Sequence, residues 1–152
     1  MAGTALVTGG SGYIAGFLIR QLIGHGWHVH TTVRSLKREP EVRGWLKVDN
    51  DKLHFFAADL EHDTGWAEAI AGCSHVAHVA SPFPIGVPKH PDELIVPARE
   101  GALRALRFAR AANVQRFVMT SSMAAIAYGH GRGRDVYNEA DWTNLDNPDV
   151  MP

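Results

Sequence analysis

The amino-acid sequence predicts an α/β fold, in which a doubly wound parallel sheet carries helices on both faces. Five short segments with strand character alternate with segments of helical periodicity along the chain. Because the segments between the strands are themselves helical, they can serve as the crossovers of a parallel sheet. The sequence shows no internal repeat and no low-complexity segment that would indicate a different architecture.

The first strand, the first helix and the second strand are strongly marked. The apolar segment 4–8 predicts a short buried strand that leads into a glycine-rich turn. The segment 12–26 predicts a helix that is apolar nearly all round and is closed by Gly24 and Gly26, since glycine readily ends helices. The β-branched segment 28–33 predicts the second strand.

The middle of the chain continues the alternation. A weak helical pattern over 39–47 precedes an apolar strand over 53–58. A short helix over 64–72 stops at Gly72, and the fourth strand is predicted over 74–80.

The longest helix is predicted over 92–112, before a fifth strand over 115–122. One buried face is indicated by small and apolar residues at steps of three and four, namely Leu94, Ala98, Gly101, Ala105, Phe108 and Ala112. Because proline lacks an amide proton, Pro97 predicts a kink or a late start of this helix. Gly, Asn, Asp and Pro then dominate, so we divide the chain into a sheet domain over 1–127 and a loop-rich tail over 128–152.

A glycine motif lies between the first strand and the first helix. Gly9, Gly12 and Ala15 have the spacing G-x-x-G-x-x-A, a variant of the dinucleotide-binding G-x-G-x-x-G/A. Gly9 permits a tight turn, Gly12 lets the backbone approach a pyrophosphate, and the helix N-terminus offers free N–H groups. A merely tight turn is the alternative, but the position of the motif favours cofactor binding.

The end of the second strand indicates which dinucleotide is bound. An NAD-binding protein usually has an acidic residue there to bind the ribose 2′-hydroxyl. This chain has Arg34 instead, with Lys37 and Arg38 close behind. Because a guanidinium can bind a 2′-phosphate through two hydrogen bonds, these residues predict NADP; a solvated basic loop is the alternative.

Several motifs in order resemble one family. They are TGGSGYIAG at 8–16, TTVRS at 31–35, AADL at 57–60, HVASPFP at 78–84 and VMTSS at 118–122. Together they resemble the extended short-chain dehydrogenases/reductases of the NAD-dependent epimerase/dehydratase superfamily, most closely the dihydroflavonol-reductase/aldehyde-reductase branch. The resemblance implies a Rossmann-type sheet and NADPH as the cofactor.

The resemblance also implies roles for individual residues. Asp59 and Leu60 would flank the adenine, although Asp59 could equally cap a turn or the next helix. Val79, Ala80 and Ser81 would line the pocket of the nicotinamide ribose. The remaining cofactor-binding assignments are Thr8, Tyr13, Ile14 and Thr120.

Ser122 matches the catalytic serine of the family. Its hydroxyl would hydrogen-bond the substrate carbonyl and the developing alkoxide. The alternative is that the hydroxyls of Thr120, Ser121 and Ser122 satisfy backbone groups at the strand end.

The sequence departs from the family in one large respect. The chemistry needs a Tyr-x-x-x-Lys pair after the serine, but no lysine follows Lys89. We therefore expect the N-terminal part of a longer reductase, with the sheet truncated after the fifth strand and the catalytic helix and substrate subdomain absent. Without that helix we expect no turnover, exposed apolar surface on the first and fourth strands, and loss of the usual family dimer.

The predicted function is that of the NADP(H)-binding half of a reductase, which transfers hydride between NADPH and a small-molecule ketone or aldehyde. The alternatives are a non-catalytic dinucleotide-binding module and a fragment of a nucleotide-sugar epimerase or dehydratase. A net charge of -1 favours neither nucleic acid nor an anionic membrane as partner. Nine histidines do not form a set with metal-ligand spacing, and a single cysteine, Cys73, fits a reducing, cytoplasmic compartment.

Overall fold

The computed structural model describes residues 3–48, 51–82, 86, 88–131, 136–148 and 150. The chain forms two compact units, Met1–Met119 and Thr120–Pro152. The predicted sheet domain extends further, to Ala127, and so includes the first residues of the second unit.

The first unit contains the sheet, and its described strands are all parallel. They are Thr4–Val7 (β1), His28–Val33 (β2), Leu53–Ala57 (β3), His75–His78 (β4) and Arg116–Met119 (β5). Their order in the sheet is β3-β2-β1-β4-β5, which confirms the predicted doubly wound sheet. Because the chain builds outward from β1 to β3 and then returns to the other side of β1, the direction of winding reverses between β1 and β4.

The described helices follow the predicted alternation. They are Tyr13–Gly24 (α1), Glu39–Leu46 (α2), Trp66–Ile70 (α3) and Asp92–Ala111 (α4), with 3₁₀ turns at Leu36–Arg38 and Met123–Ala125. Helix α4 begins at Asp92 and continues through Pro97, so the predicted late start is wrong.

Within the described residues, a hydrophobic core lies on each face of the sheet, because alternate strand residues point to opposite faces. Helices α3 and α4 cover one face, where the core includes Leu6, Trp66, Ile70, Val76, Ala105 and Ala109. Helices α1 and α2 cover the other, where it includes Val7, Ala15, Ile19, Val29, Val42, Leu46 and Leu53. Helices on both faces are the arrangement that the alternating pattern predicts.

The expectation of exposed apolar surface on the first and fourth strands is wrong. Leu6 and Val7 of β1 are fully buried, and Val76 of β4 is 2% exposed. Neighbouring strands flank both β1 and β4, and helices cover them. Among the described strands, the large apolar side chains that are exposed lie on β5, where Val118 is 60% and Met119 51% exposed.

Candidate functional site

A cleft of about 620 Å³ lies at the carboxyl ends of the central strands. Its volume is typical of small-molecule sites, and its position is the place where open α/β sheets bind ligands. Most of the lining comes from four chain segments, namely the turn after β1 with the start of α1, the end of β2, the loop after β3 and the segment after β4. The lining residues are Gly9, 11–15, 32–35, Arg38, 58–61, Trp66 and 79–82.

The turn after β1 requires glycine at its first position. Gly9 has a φ of +72°, and a Cβ there would lie 3.0 Å from the Cβ of Ala80. The Gly9 amide donates to Thr32 Oγ1 at 3.0 Å, and the Gly10 amide donates to the Thr32 carbonyl at 2.8 Å. This turn is therefore held between the ends of β2 and β4, and a side chain at Gly9 would crowd Ala80.

The start of α1 presents unpaired amides to the cleft. Gly12 is the N-cap and carries no side chain to cap the helix, and the first turn contains no acidic residue. The amides of Tyr13, Ile14 and Ala15 have no acceptor among the residues that the structure describes. Open amides at the positive end of a helix dipole bind phosphate groups, so this end of the cleft fits a pyrophosphate.

The end of β2 supplies positive charge. Arg38 is held by Glu41 through two hydrogen bonds, Nε to Oε2 at 3.2 Å and Nη2 to Oε1 at 3.0 Å. This guanidinium lowers the pKa of the Glu41 carboxyl by hydrogen bonding. Arg34 is exposed and makes no hydrogen bond or ion pair with any other described residue, so its guanidinium is available to a ligand. Lys37 does not line the cleft.

The loop after β3 forms the wall beside Arg34 and Arg38. Asp59 Oδ1 accepts the amide of Glu61 at 2.8 Å, which is the turn-capping role that the sequence allowed. Trp66 Nε1 donates to the Asp59 carbonyl at 2.8 Å, and Arg104 donates to the Leu60 carbonyl. Asp59 and Leu60 thus line the cleft from a loop that α3 and α4 hold by its carbonyls.

Comparison with known proteins gives the family. The sequence matches the model of the NAD dependent epimerase/dehydratase family over residues 5–148. The chain belongs to the NAD-dependent epimerase/dehydratase family.

Two of the relatives that the sequence matches are named reductases. Vestitone reductase of Medicago sativa is 36% identical over 149 residues, which are 95% of this chain and 45% of that protein. Dihydroflavonol 4-reductase of Hordeum vulgare is 33% identical over 147 residues, 95% of this chain and 41% of that protein. These matches confirm the resemblance to the dihydroflavonol-reductase branch. The crystal structure of vestitone reductase superposes with a TM-score of 0.77 at 34% identity, covering 95% of this chain and 44% of that one.

The third relative is Gre2 of Candida albicans, whose crystal structure is a complex with NADPH. It superposes with a TM-score of 0.79 at 25% identity, covering 93% of this chain and 44% of that one. The chain thus spans less than half the length of the relatives that it matches.

Thr8 is a predicted cofactor-binding residue, but it does not line the cleft. It is fully buried. Its hydroxyl oxygen accepts the amides of Val79 at 3.0 Å and Ala80 at 2.9 Å and lies 3.0 Å from His78 Nδ1. Thr8 therefore contacts the backbone of the lining segment and not the cleft itself.

Thr120 and Ser122 belong to the second unit. Ser122 Oγ accepts the amide of Ala124 at 3.2 Å and so caps the 3₁₀ turn Met123–Ala125, which is the structural role that the sequence left open. Both side chains are exposed. The capping contact uses Ser122 as an acceptor and leaves its hydroxyl proton available. The catalytic role of Ser122 stays a prediction, as does the cofactor contact of Thr120.

The structure adds lining residues to which the sequence analysis assigned no contact with the cofactor. They are Ser11, Ala15, Thr32, Val33, Ser35, Ala58, Glu61, Trp66 and Pro82. Most of them adjoin predicted residues at the carboxyl ends of strands, so a wider window around each strand end would have found them. Trp66 gave no such signal, because an aromatic residue in a short helix is typical of a core.

Two features are absent from the residues that the structure describes. No group of three or more His, Cys, Asp or Glu residues that could hold a metal ion occurs among them. None of the helices in the described ranges is long and apolar enough to cross a membrane.

The half-buried His30 and the buried His78 make stability depend on pH. Burial lowers the pKa of His30 and His78 below their ordinary value of 6.5. The unfolded chain therefore binds protons more readily than the folded chain just below pH 6.5, and stability falls as the pH drops through that value towards the lowered pKa values. The pKa values of the exposed carboxyls Glu41 and Asp63 are lowered from ordinary values of 4.5 and 3.8, so these groups affect stability only at lower pH.

We expect the urea midpoint to be lower at about pH 5.5 than at about pH 7.5. The control is His30→Asn, because His30 Nδ1 donates to the Ala69 carbonyl at 2.8 Å and an asparagine amide can donate there without titrating. This variant should lose part of the pH dependence. An unchanged midpoint across this range in the wild-type chain would contradict the assignment.

Proposed function

We propose that the chain is the NADP(H)-binding half of a reductase that moves hydride between NADPH and the carbonyl group of a ketone or aldehyde. The observation that carries the proposal is the unpaired Arg34 at the end of β2, which lines the same cleft as the open amides of α1. Both features attract phosphate, and the glycine turn in the same lining leaves room for the backbone to approach a ligand closely.

The cleft divides into parts that suit successive pieces of this cofactor. The α1 amides would bind the pyrophosphate, and the Arg34 guanidinium would bind the 2′-phosphate through a fork of two hydrogen bonds. Asp59 and Leu60 would flank the adenine, whereas Val79, Ala80 and Ser81 would contact the nicotinamide ribose. When bound, NADPH supplies the hydride, and this chain's own residues bind and orient it.

The reductase part of the proposal is supported by the relatives. Vestitone reductase and dihydroflavonol 4-reductase are reductases by name, and Gre2 of Candida albicans is solved with NADPH. Ser122 would hydrogen-bond the carbonyl oxygen of the substrate with the proton that its capping contact leaves available. No Tyr-x-x-x-Lys occurs in the 152 residues, so the acid of the reaction is not among them.

Calorimetric titration with NADPH and NADH tests the cofactor assignment. We expect tighter binding of NADPH, because only its 2′-phosphate can pair with Arg34. Arg34→Ala should weaken NADPH binding by about tenfold or more and leave NADH binding nearly unchanged, since a charged hydrogen-bond pair is lost for one ligand only.

Arg20→Ala is the matched control, because Arg20 is an exposed arginine of α1 outside the cleft lining. It should leave both affinities unchanged. Equal weakening of NADPH and NADH by Arg34→Ala would show that Arg34 does not recognise the 2′-phosphate. Absence of binding by either dinucleotide would overturn the proposed function.

A further inference from the structure

The hydrogen bonds around Thr8 fix the direction of its hydroxyl proton. A threonine hydroxyl has one proton and two acceptor lone pairs. The amides of Val79 and Ala80 can only donate, so together they occupy both lone pairs of Thr8 Oγ1. The third neighbour, His78 Nδ1 at 3.0 Å, must therefore accept the hydroxyl proton.

This arrangement selects one form of His78. If Nδ1 accepts a proton from Thr8, the ring is neutral and carries its own proton on Nε2. The surroundings favour that form, because His78 is 3% exposed and its ring centroid lies 6.4 Å from that of Trp66 and 5.9 Å from that of Phe117. His30 provides a contrast within the same sheet, since its Nδ1 must donate to the Ala69 carbonyl and it therefore has the opposite tautomer.

The Thr8 side chain continues the link between β1 and β4 where their backbone pairing ends. The Thr8 amide donates to the Ala77 carbonyl at 3.0 Å. Beyond this bond, the Thr8 hydroxyl accepts the amides of Val79 and Ala80, the two residues that follow β4. These two residues, Val79 and Ala80, line the cleft, and Ala80 is the residue against which Gly9 packs.

We infer that Thr8 and His78 are positioning residues for the cofactor cleft: His78 Nδ1 orients the Thr8 hydroxyl, and that hydroxyl fixes the Val79 and Ala80 backbone against the glycine turn. The inference deepens the proposed function and rests on it, in that the ligand of the cleft is taken to be a dinucleotide. Neither side chain touches the cofactor in this scheme.

Paired substitutions separate positioning from mere packing. Thr8→Val keeps the shape but removes the hydroxyl, and His78→Phe keeps a ring but removes the acceptor. Each should weaken NADPH binding by about tenfold or more, because buried amides or the hydroxyl lose their partners. Thr8→Ser retains the hydroxyl, and His78→Asn places an oxygen near the position of Nδ1, so both should bind within about threefold of wild type.

Ser74→Ala is the matched control. Ser74 Oγ donates to the Thr4 carbonyl or to His75 Nδ1, so it is a hydroxyl with a histidine neighbour joining the same two strands at their opposite ends. This variant should lower the urea midpoint without changing NADPH affinity. Equal weakening of binding by Ser74→Ala and Thr8→Val would reduce the role of Thr8 to general stability and overturn the inference.

Two measurements without cofactor keep the inference separate from the proposed function. ¹⁵N spectra of histidine-labelled chain should show His78 protonated on Nε2 and His30 protonated on Nδ1. Hydrogen exchange should find the Val79 and Ala80 amides protected in wild type and in Thr8→Ser but exchanging faster in Thr8→Val.

If the wild-type chain binds no dinucleotide, the proposed function fails, while these spectra still decide whether Thr8 and His78 are paired as described. A His78 protonated on Nδ1, or amides that stay protected in Thr8→Val, would overturn the inference. The inference would also be overturned if the spectra were as expected but Thr8→Val and His78→Phe both bound NADPH with unchanged affinity.

Discussion

Gly9→Ala is expected to abolish most dinucleotide binding, whereas Gly72→Ala is expected to affect stability alone. Both glycines have a φ of +72°, so alanine meets the same left-handed backbone strain at each position. That strain costs on the order of 1–2 kcal/mol. The surroundings differ, because a Cβ at Gly72 would find open space, whereas a Cβ at Gly9 would lie 3.0 Å from the Cβ of Ala80 and 3.2 Å from its Cα.

The contact at Gly9 decides the outcome because its neighbour lines the cleft. A Cβ there must push Ala80 away or displace the turn, and both movements change the space between the glycine turn and the wall of the cleft. The Ala80 backbone cannot yield cheaply, since its amide is held by Thr8 at 2.9 Å.

Urea unfolding and calorimetry on the two variants test this expectation. Both variants should lose stability, with the larger loss in Gly9→Ala, and only Gly9→Ala should lose NADPH affinity by more than about tenfold. If Gly72→Ala weakens NADPH binding as much as Gly9→Ala does, the loss of affinity is caused by backbone strain and not by the contact with Ala80.

The local parts of the fold could be predicted from the sequence. The second strand was predicted at 28–33 and is found at His28–Val33, because four of its six residues are β-branched and no helical pattern competes with them. The glycine turn was predicted for the same kind of reason, since a left-handed turn and a close backbone approach depend on residues within a few positions of one another.

The parts of the site that depend on which side chains contact each other could not be predicted. Arg34 and Arg38 are both arginines near the end of β2, so the sequence does not show which of them is available to a ligand. The structure shows that the Arg38 guanidinium is paired with the Glu41 carboxylate. Thr8 was assigned to the cofactor because it belongs to the motif, but its partners lie about seventy residues away along the chain. Strand pairing brings these groups together, and a sequence pattern does not show which side of the backbone each one contacts.

Exposure of the sheet was misjudged for a related reason. The side chains of a strand point to the faces of the sheet, so they are buried or exposed according to the helices that cover those faces. Helices α3 and α4 already cover the face that carries Leu6 of β1 and Val76 of β4, so the expectation of exposed surface on these strands gave too little weight to the helices that are present. The structure shifts the exposed apolar surface to β5.

Trp66→Ala is expected to cause the largest loss of stability among single substitutions in the first unit. Trp66 is 1% exposed and is the largest of the fully buried side chains among the described residues. Its ring stacks on Phe108 of α4 with centroids 6.2 Å apart, and it belongs to the core that joins α3 and α4 to the sheet. Truncation of a buried tryptophan removes transfer energy and leaves a cavity, which together cost about 3–5 kcal/mol.

Trp66→Phe separates the packing of this residue from its hydrogen bond. Phenylalanine fills much of the same volume but cannot donate to the Asp59 carbonyl, which the indole N–H reaches at 2.8 Å. We expect it to cost about 1–2 kcal/mol, less than the alanine variant, because one hydrogen bond and part of the volume are lost. Because Asp59 lines the adenine end of the proposed site, Trp66→Phe should also weaken NADPH binding.

Urea unfolding followed by far-ultraviolet circular dichroism measures both variants without depending on tryptophan fluorescence. Trp142→Ala is the control, since Trp142 is 72% exposed and exposed side chains contribute little to stability. If Trp66→Ala cost no more than Trp142→Ala, the core between α3, α4 and the sheet would not be packed as described. The loop that carries Asp59 and Leu60 would then lack its support, because the same indole both fills that core and holds the Asp59 carbonyl.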